Sequence, residues 1–163
     1  MVRRSVNRTL PGWIFLVLAL AASTLRAGDP PGDGLRPDPS LSPEQVVRIQ
    51  LEALRRNDAD DRGIAVAFRF ASPENKRNTG PVPRFARMIK HGPYALMLSF
   101  SHASFAPTQV AGRQALQSVT LVAPGHAPVT YLFHLSRQVD DGPNKDCWMT
   151  EGVQVRAEAG RAA

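Results

Sequence analysis

The pattern of apolar residues changes near Tyr94, and this change restricts the fold more than any other feature of the sequence. Between Ser42 and Gly92, apolar residues recur three or four positions apart, which is the spacing of one face of a helix. From Tyr94 onward the chain is rich in β-branched and aromatic residues and is divided by short connections that contain glycine. Helices followed by strands predict an α+β domain, with the helices on one face of an antiparallel sheet.

The first helix has the clearest start signal. Ser42 suits the N-cap, Pro43 suits the first helical position, and Gln45 stands where a capping box places glutamine. The residues that follow at helical spacing are Val46, Ile49, Ala53 and Leu54. We therefore predict that the folded domain begins at this helix.

Two further helices are predicted before the strands. The second begins near Asp60 or Asp61 and ends at Ser72-Pro73, because proline disfavours helical geometry in the residue before it. A polar loop follows, and a short third helix begins at Pro83.

The second half of the chain predicts a curved antiparallel sheet of about four strands. Residues 94–107 suit one strand, or two strands with a bend, and residues 114–123, 128–137 and 147–156 suit one strand each. Glycine in each of the connections between them favours hairpin turns.

Residues 1–27 have the pattern of a secretory signal peptide, with a basic start, an apolar run and an alanine at the cleavage position. The apolar run at residues 13–22 is shorter than the roughly 20 residues that a membrane-spanning helix needs. We predict cleavage after Ala27, with Ala21 or Ala22 as alternatives, and a periplasmic or secreted protein. An N-terminal membrane anchor is the alternative, while a transit peptide fits the arginines but not the compact apolar run.

The remaining chain divides into a linker, one domain and a tail. Residues 28–41 are rich in proline, glycine and aspartate, which predicts a disordered linker because few apolar groups offset the entropy of ordering. Residues 42–156 are long enough to bury a core and are predicted to form a single domain. Residues 157–163 are predicted to be a loose tail.

The charge and the cysteine content exclude several classes of protein. The whole chain has a formal net charge of +6, but Arg3, Arg4, Arg8 and Arg26 lie in the predicted signal. The mature chain is therefore nearly balanced, so we expect no nucleic-acid partner and no stable membrane association after cleavage. Cys147 is the one cysteine, so no intramolecular disulfide can form.

The order of elements is similar to that of the nuclear-transport-factor-2-like (SnoaL-like) superfamily, in which a bent sheet wraps around helices and leaves a pocket. The segments AFRFASPENKRNTGPVPRFARMIK, YALML and CWMTEGVQV further resemble a small uncharacterised family assigned a domain of unknown function. Its members include exported bacterial proteins and plant plastid relatives. The resemblance covers roughly residues 42–156 and implies a cone-like fold with a pocket, but fold analogy alone assigns no activity.

Basic residues on both sides of the predicted polar loop are candidates for ligand binding. Arg84 and Arg87 are the main ones, because a guanidinium can bind a carboxylate or phosphate through two hydrogen bonds. Asn75, Lys76 and Tyr94 complete the predicted set, and the favoured ligand is small and anionic or carbonyl-bearing. The alternatives are a solvated helical face and, for the asparagine, hydrogen bonds to the backbone of its own loop.

Glu151 is the one candidate catalytic residue. It shares strand parity with Cys147, Met149 and Val153, which would direct it inward, where a carboxylate among apolar groups can serve as a general acid or base. The alternative is a twist or bulge at Gly152 that turns the carboxylate to solvent or pairs it with an arginine.

The sequence predicts neither a metal nor a cofactor, since it lacks metal-ligand spacing, a phosphate loop and a dinucleotide fingerprint. His134 is predicted on the outer face of the sheet, where a second copy would cover it, so a homodimer is a candidate assembly. We predict a non-catalytic module that binds a small ligand or a protein partner through a pocket. The alternative is a cofactor-free isomerase, dehydratase or hydrolase-like enzyme that uses Glu151 as its acid or base.

Overall fold

Helices come first in the chain and strands follow, so the predicted α+β class is confirmed. The computed structural model describes residues 34–157, and the predicted signal, part of the linker and most of the tail lie outside this range. Across these residues, no helix is long and apolar enough to cross a membrane. The elements in chain order are α1 Pro43–Arg55, α2 Arg62–Arg69, α3 Pro73–Thr79, α4 Val82–Lys90, a 3₁₀ helix Ala95–Leu98, β1 His102–Phe105, β2 Gln109–Ala111, β3 Gln114–Val122, β4 Val129–Arg137 and β5 Trp148–Ala157.

The start of α1 is the capping box that the sequence predicts. The Ser42 Oγ accepts a hydrogen bond from the Gln45 backbone N–H at 3.2 Å, and the Gln45 Oε1 accepts one from the Ser42 N–H at 2.7 Å. Both bonds satisfy N–H groups that a helix start leaves without partners. The buried face of α1 consists of Pro43, Val46, Val47, Gln50, Leu51, Ala53 and Leu54.

The helices α1 and α2 meet in direct backbone contact at Gly63. A Cβ atom placed on this glycine would lie 2.1 Å from the backbone oxygen of Ala53. No larger residue fits there without moving one helix, so the close packing of the two helices depends on glycine.

The stretch after Ser72-Pro73 is a helix, so the predicted loop is wrong. The Ser72 Oγ accepts a hydrogen bond from the Asn75 N–H at 3.0 Å and caps α3, while Pro73 occupies the first turn. The Ser-Pro pair therefore begins a helix, whereas α2 has already ended at Arg69, before Phe70 and Ala71. None of the residues in α3 is buried, and a helix without an apolar face gives no periodic signal in the sequence.

The predicted strand at residues 94–107 is also largely wrong. The chain first makes the 3₁₀ helix, in which Met97 donates from its N–H to the carbonyl of Tyr94 at 2.9 Å and buries its side chain. Within this range only the four residues of β1 form a strand. The β-propensity of a residue depends on the surface against which its side chain packs. Here Met97 is buried in the core from a 3₁₀ helix and not from a strand.

The sheet has five strands rather than about four, because the short β2 was not predicted. Its order is β1-β3-β4-β5, with β2 paired to β3, and these pairings are all antiparallel. Alternate side chains of the two long central strands are buried towards the helices: Ala115, Gln117, Val119, Leu121, Tyr131, Phe133 and Leu135. The ends of β3, β4 and β5 agree with the predicted strands to within one residue.

Removal of the α1 cap provides a local test of the fold. Ser42→Ala should lower the free energy of unfolding by about 1 kcal/mol, because the capping side chain of a helix contributes about 0.5–2 kcal/mol. Ser40→Ala is the matched control, since the Ser40 hydroxyl bonds only the exposed Asp38 ahead of the helix. Urea unfolding measures both variants, and equal losses would contradict the role of the cap.

The buried hydroxyl of Tyr131 makes stability depend on alkaline pH. Burial, with a smaller effect of Tyr94, raises the pKa of Tyr131 from 10.0 to about 12, and the hydroxyl donates to the carbonyl of Pro93 at 2.8 Å. The folded state thus favours the protonated phenol. The resulting contribution to stability is fully present below the pKa that Tyr131 has in the unfolded chain. It should be lost at up to about 1.4 kcal/mol per pH unit as the pH rises towards 12.

Chemical denaturation between about pH 9 and about pH 12 measures this loss for the wild type and for Tyr131→Phe. The variant should show a shallower decline across that window because it cannot ionise at this position. Identical slopes for the two proteins would contradict the assignment.

Candidate functional site

A cavity of about 240 Å³ lies between the helices and β5. All four helices, the 3₁₀ helix, β4 and β5 contribute to its wall. Its apolar lining consists of Leu54, Ala67, Ala71, Phe85, Met88, Ile89, Met97, Phe133 and Val153. An engineered cavity of about 150 Å³ with such a lining holds benzene, so this space suits a molecule with one ring or a few branched carbons.

Two buried polar side chains form one part of the wall. The Thr150 hydroxyl donates to the Gln50 Oε1 at 2.7 Å, and the Gln50 Nε2 donates to the carbonyl of Ala67 at 3.1 Å. One amide therefore joins α1, α2 and β5. The bonds satisfy these groups within the protein, as buried polar groups require.

The start of α3 is joined to β5 beside the same cavity. Thr150 donates from its N–H to the carbonyl of Phe70 at 2.9 Å, and its carbonyl accepts from the Ser72 N–H at 2.9 Å. The Asn75 Nδ2 donates to the same carbonyl at 3.0 Å. Asn75, Asn78 and Thr79 then line the cavity from α3.

Tyr94, a predicted site residue, also lies on the wall. Its hydroxyl donates to the backbone oxygen of Val153 at 3.0 Å, which joins the entry of the 3₁₀ helix to β5. Its ring lies 6.5 Å from that of Tyr131, measured between ring centroids. This hydrogen bond fixes the phenol oxygen of Tyr94 at the cavity, and it occupies the one proton that the hydroxyl can donate.

The strand β5 carries a bulge at Glu151. His134 pairs with Gly152 and Leu135 pairs with Thr150, so Glu151 is one extra residue on β5. A bulge reverses the alternation of side chains along a strand. The parity that grouped Glu151 with Met149 and Val153 therefore does not hold, because Met149 pairs with Ser136 and Val153 pairs with Phe133 on the opposite face.

The carboxylate of Glu151 is held by neutral donors. Its Oε2 accepts from the Ser72 hydroxyl at 2.7 Å, and its Oε1 accepts from the Ser136 hydroxyl and from the Gln138 Nε2 at 3.5 Å. Glu151 lines the cavity, but these three donors do not. Instead of turning free to solvent or pairing with an arginine, the carboxylate ties the start of α3 to β4 and β5.

The predicted basic residues lie outside the cavity wall. Arg84 and Arg87 are exposed on α4 and do not belong to the lining. The Lys76 ammonium donates to the carbonyl of Arg69 at 2.9 Å and lies 5.9 Å from the ring centroid of Phe68, where burial lowers the pKa of Lys76. The structure thus gathers Asn75, Tyr94 and Glu151 but not the predicted cations, and ligand binding by these cations stays a prediction.

Sequence reasoning missed Gln50, Thr150 and Thr79 as residues of the wall. One signal was available for Gln50, which lies four residues after Val46 and four before Leu54 in the apolar stripe of α1. A polar side chain in such a stripe needs a buried partner, and so indicates a buried contact.

His134 and Cys147 lie away from this cavity. His134 pairs with Leu116 on β3, and its Nε2 is buried without a hydrogen-bond partner among residues 34–157. Burial raises the pKa of the Cys147 thiol, and the Asp38 and Asp146 carboxylates act in the same direction. In the described part of the chain, no group of three or more His, Cys, Asp or Glu side chains is placed to hold a metal ion.

Substitutions on α4 compare how much the cavity wall and the exposed basic face contribute to stability. Phe85→Ala should lower the free energy of unfolding by about 3–5 kcal/mol, because its buried ring packs on Phe68 at a centroid distance of 5.1 Å. Arg84→Ala and Arg87→Ala are controls on the same helix and should each stay within about 0.5 kcal/mol of the wild type. Thermal and urea unfolding measure these changes, and a large loss in either arginine variant would show that the basic face supports the fold.

The chain belongs to the family described as "Domain of unknown function (DUF4864)", whose family model matches residues 40–163. No curated protein gives a significant match, and no solved structure does. The match confirms the resemblance to a family with a domain of unknown function, and it assigns no reaction or ligand.

Proposed function

We propose that this member of the DUF4864 family is a non-catalytic binding module whose cavity takes up a small, largely apolar molecule. The observation that carries the proposal is the space of about 240 Å³ between the helices and β5. Protein interiors are otherwise packed as densely as organic crystals, and voids larger than a water molecule are few. An apolar space with a few fixed polar groups is the usual form of a small-molecule site.

The hydrogen bonds that the polar groups of the wall already make within the chain support binding rather than catalysis. Both carboxylate oxygens of Glu151 accept hydrogen bonds from the chain itself. A general acid or base must reach the proton of its substrate directly or through one water. The acid/base enzyme that the sequence offers as an alternative would require Glu151 to exchange at least one of these donors for a substrate.

The proposal includes two wider assignments and leaves one alternative. A nuclear-transport-factor-2-like, cone-shaped arrangement is supported by the order of helices and antiparallel strands and by the cavity between them. Export with cleavage near Ala27 is supported by the signal-like pattern of residues 1–27. A protein partner or a second copy on the sheet face around His134 is the alternative to a small ligand.

A fragment screen with two matched valine variants tests the binding proposal. Ligand-observed NMR on the purified protein, with small aromatic and branched-alkyl fragments, should detect binding to the wild type. Val153→Phe should abolish binding because it fills the cavity. Val155→Phe should retain binding, because Val155 lies on the same face of β5 but does not line the cavity.

The variants must first be shown to fold by circular dichroism. Met88→Trp is the second filling variant if Val153→Phe does not fold, since Met88 is a half-buried residue of the wall. If the wild type binds no fragment, or if a folded filling variant binds as well as the wild type, the proposal is wrong.

A further inference from the structure

Every hydroxyl group on the described part of the cavity wall already donates its proton to an oxygen of the chain. Tyr94 donates to the carbonyl of Val153 at 3.0 Å, and Thr79 donates to the carbonyl of Asn75 at 2.7 Å. The hydroxyl of Thr150 donates to a side-chain amide oxygen of α1 at 2.7 Å. Because a hydroxyl has one proton and two acceptor lone pairs, all three oxygens meet a ligand as acceptors.

The charge of the wall also favours a ligand that donates hydrogen bonds over an anion. Among the lining residues that the structure describes, Glu151 is the one acidic side chain, and none is lysine or arginine. Its carboxylate has only neutral hydrogen-bond donors and no ion-pair partner within residues 34–157. An anion entering this space would lose its hydration without gaining a cation as partner, which is strongly unfavourable.

Amide groups are the remaining source of donors. The Gln50 Nε2 uses one of its two N–H groups on the carbonyl of Ala67, the Asn75 Nδ2 uses one on the carbonyl of Thr150, and the Asn78 Nδ2 uses one on the exposed Glu74. Each amide retains a second N–H, which can serve an uncharged acceptor atom on the same ligand. These single neutral donors cannot offset a full negative charge.

We infer that the cavity selects a small molecule with an apolar body and at least one O–H or N–H donor, neutral or positively charged, over carboxylates and phosphates. This inference rests on the proposed function and names the class of its ligand. It departs from the anionic ligand that the sequence favoured, because that expectation depended on Arg84 and Arg87, which are exposed and lie outside the wall.

Four probes that share one carbon skeleton distinguish the effects of a hydrogen-bond donor and of charge on binding. They are benzyl alcohol, benzylamine, toluene and benzoate, which present a neutral donor, a cationic donor, no polar group and an anion. NMR titration of the wild type should give benzyl alcohol or benzylamine an affinity about tenfold above that of toluene, as expected for one net hydrogen bond. Benzoate should bind most weakly. The two donor probes compared with each other show whether a positive charge adds affinity.

Two tyrosine variants test whether the wall itself creates this preference. Tyr94→Phe removes an acceptor and should reduce the preference for benzyl alcohol over toluene, while the affinity for toluene stays unchanged. Tyr131→Phe is the matched control, because the Tyr131 hydroxyl donates to the carbonyl of Pro93 and Tyr131 does not line the cavity. Thr79→Val is the second test variant if Tyr94→Phe does not fold.

The outcomes distinguish failure of this inference from failure of the proposed function. If toluene or benzoate binds as tightly as the donor probes and Val153→Phe abolishes that binding, the cavity binds ligands but the inference on donors is wrong. An unchanged preference in folded Tyr94→Phe, or in Thr79→Val where that variant replaces it, also overturns the inference. If none of the four probes binds, the inference fails, and if the wider fragment panel also fails, so does the proposed function.

Discussion

The buried amide of Gln50 is the interaction on which the placement of the helices against the sheet depends. Its Nε2 bonds the carbonyl of Ala67 on α2, and its Oε1 accepts the hydroxyl of Thr150 on β5. A buried polar group left without a partner is unfavourable by about 1–3 kcal/mol, so helices and strand must meet where both bonds form. Thr150 also uses its backbone N–H and carbonyl to hold the segment between α2 and α3. The cavity is the space that remains between these fixed groups and the side chains of α4.

Much of the fold is predictable because its signals are local. The capping box at Ser42 and the β-rich segments that form β3, β4 and β5 depend on neighbouring residues, and the structure contains all of them. The helix α3 was missed because it has no apolar face, although Ser72-Pro73 repeats the start signal of Ser42-Pro43. The 3₁₀ helix was missed because Leu96 and Met97 suit a strand by composition, and the packing of the turn decides otherwise.

The candidate site is less predictable because its contacts join distant parts of the chain. Asn75, Tyr94 and Glu151 were selected from the sequence and do lie on the wall. The contact between Gln50 and Thr150 joins residues 100 positions apart, and no local pattern records it. The bulge on β5 also has no sequence signal beyond Gly152, yet it decides which side chains share a face. The basic residues selected from the sequence lie outside this wall, because Arg84 and Arg87 are exposed and Lys76 donates to the carbonyl of Arg69 at the end of α2.

Because α3 has no buried residues, the hydrogen-bonding groups that it adds to the cavity wall are separate from the residues that form the core. This helix supplies Asn75, Asn78 and Thr79 to the cavity, while the core is formed by the other helices and the sheet. Substitutions at its outward and cavity-facing positions change hydrogen-bonding groups without opening a void in the core. The hydrogen-bonding part of the wall can therefore change independently of the apolar part, whose residues Phe85, Met97 and Phe133 also belong to the core.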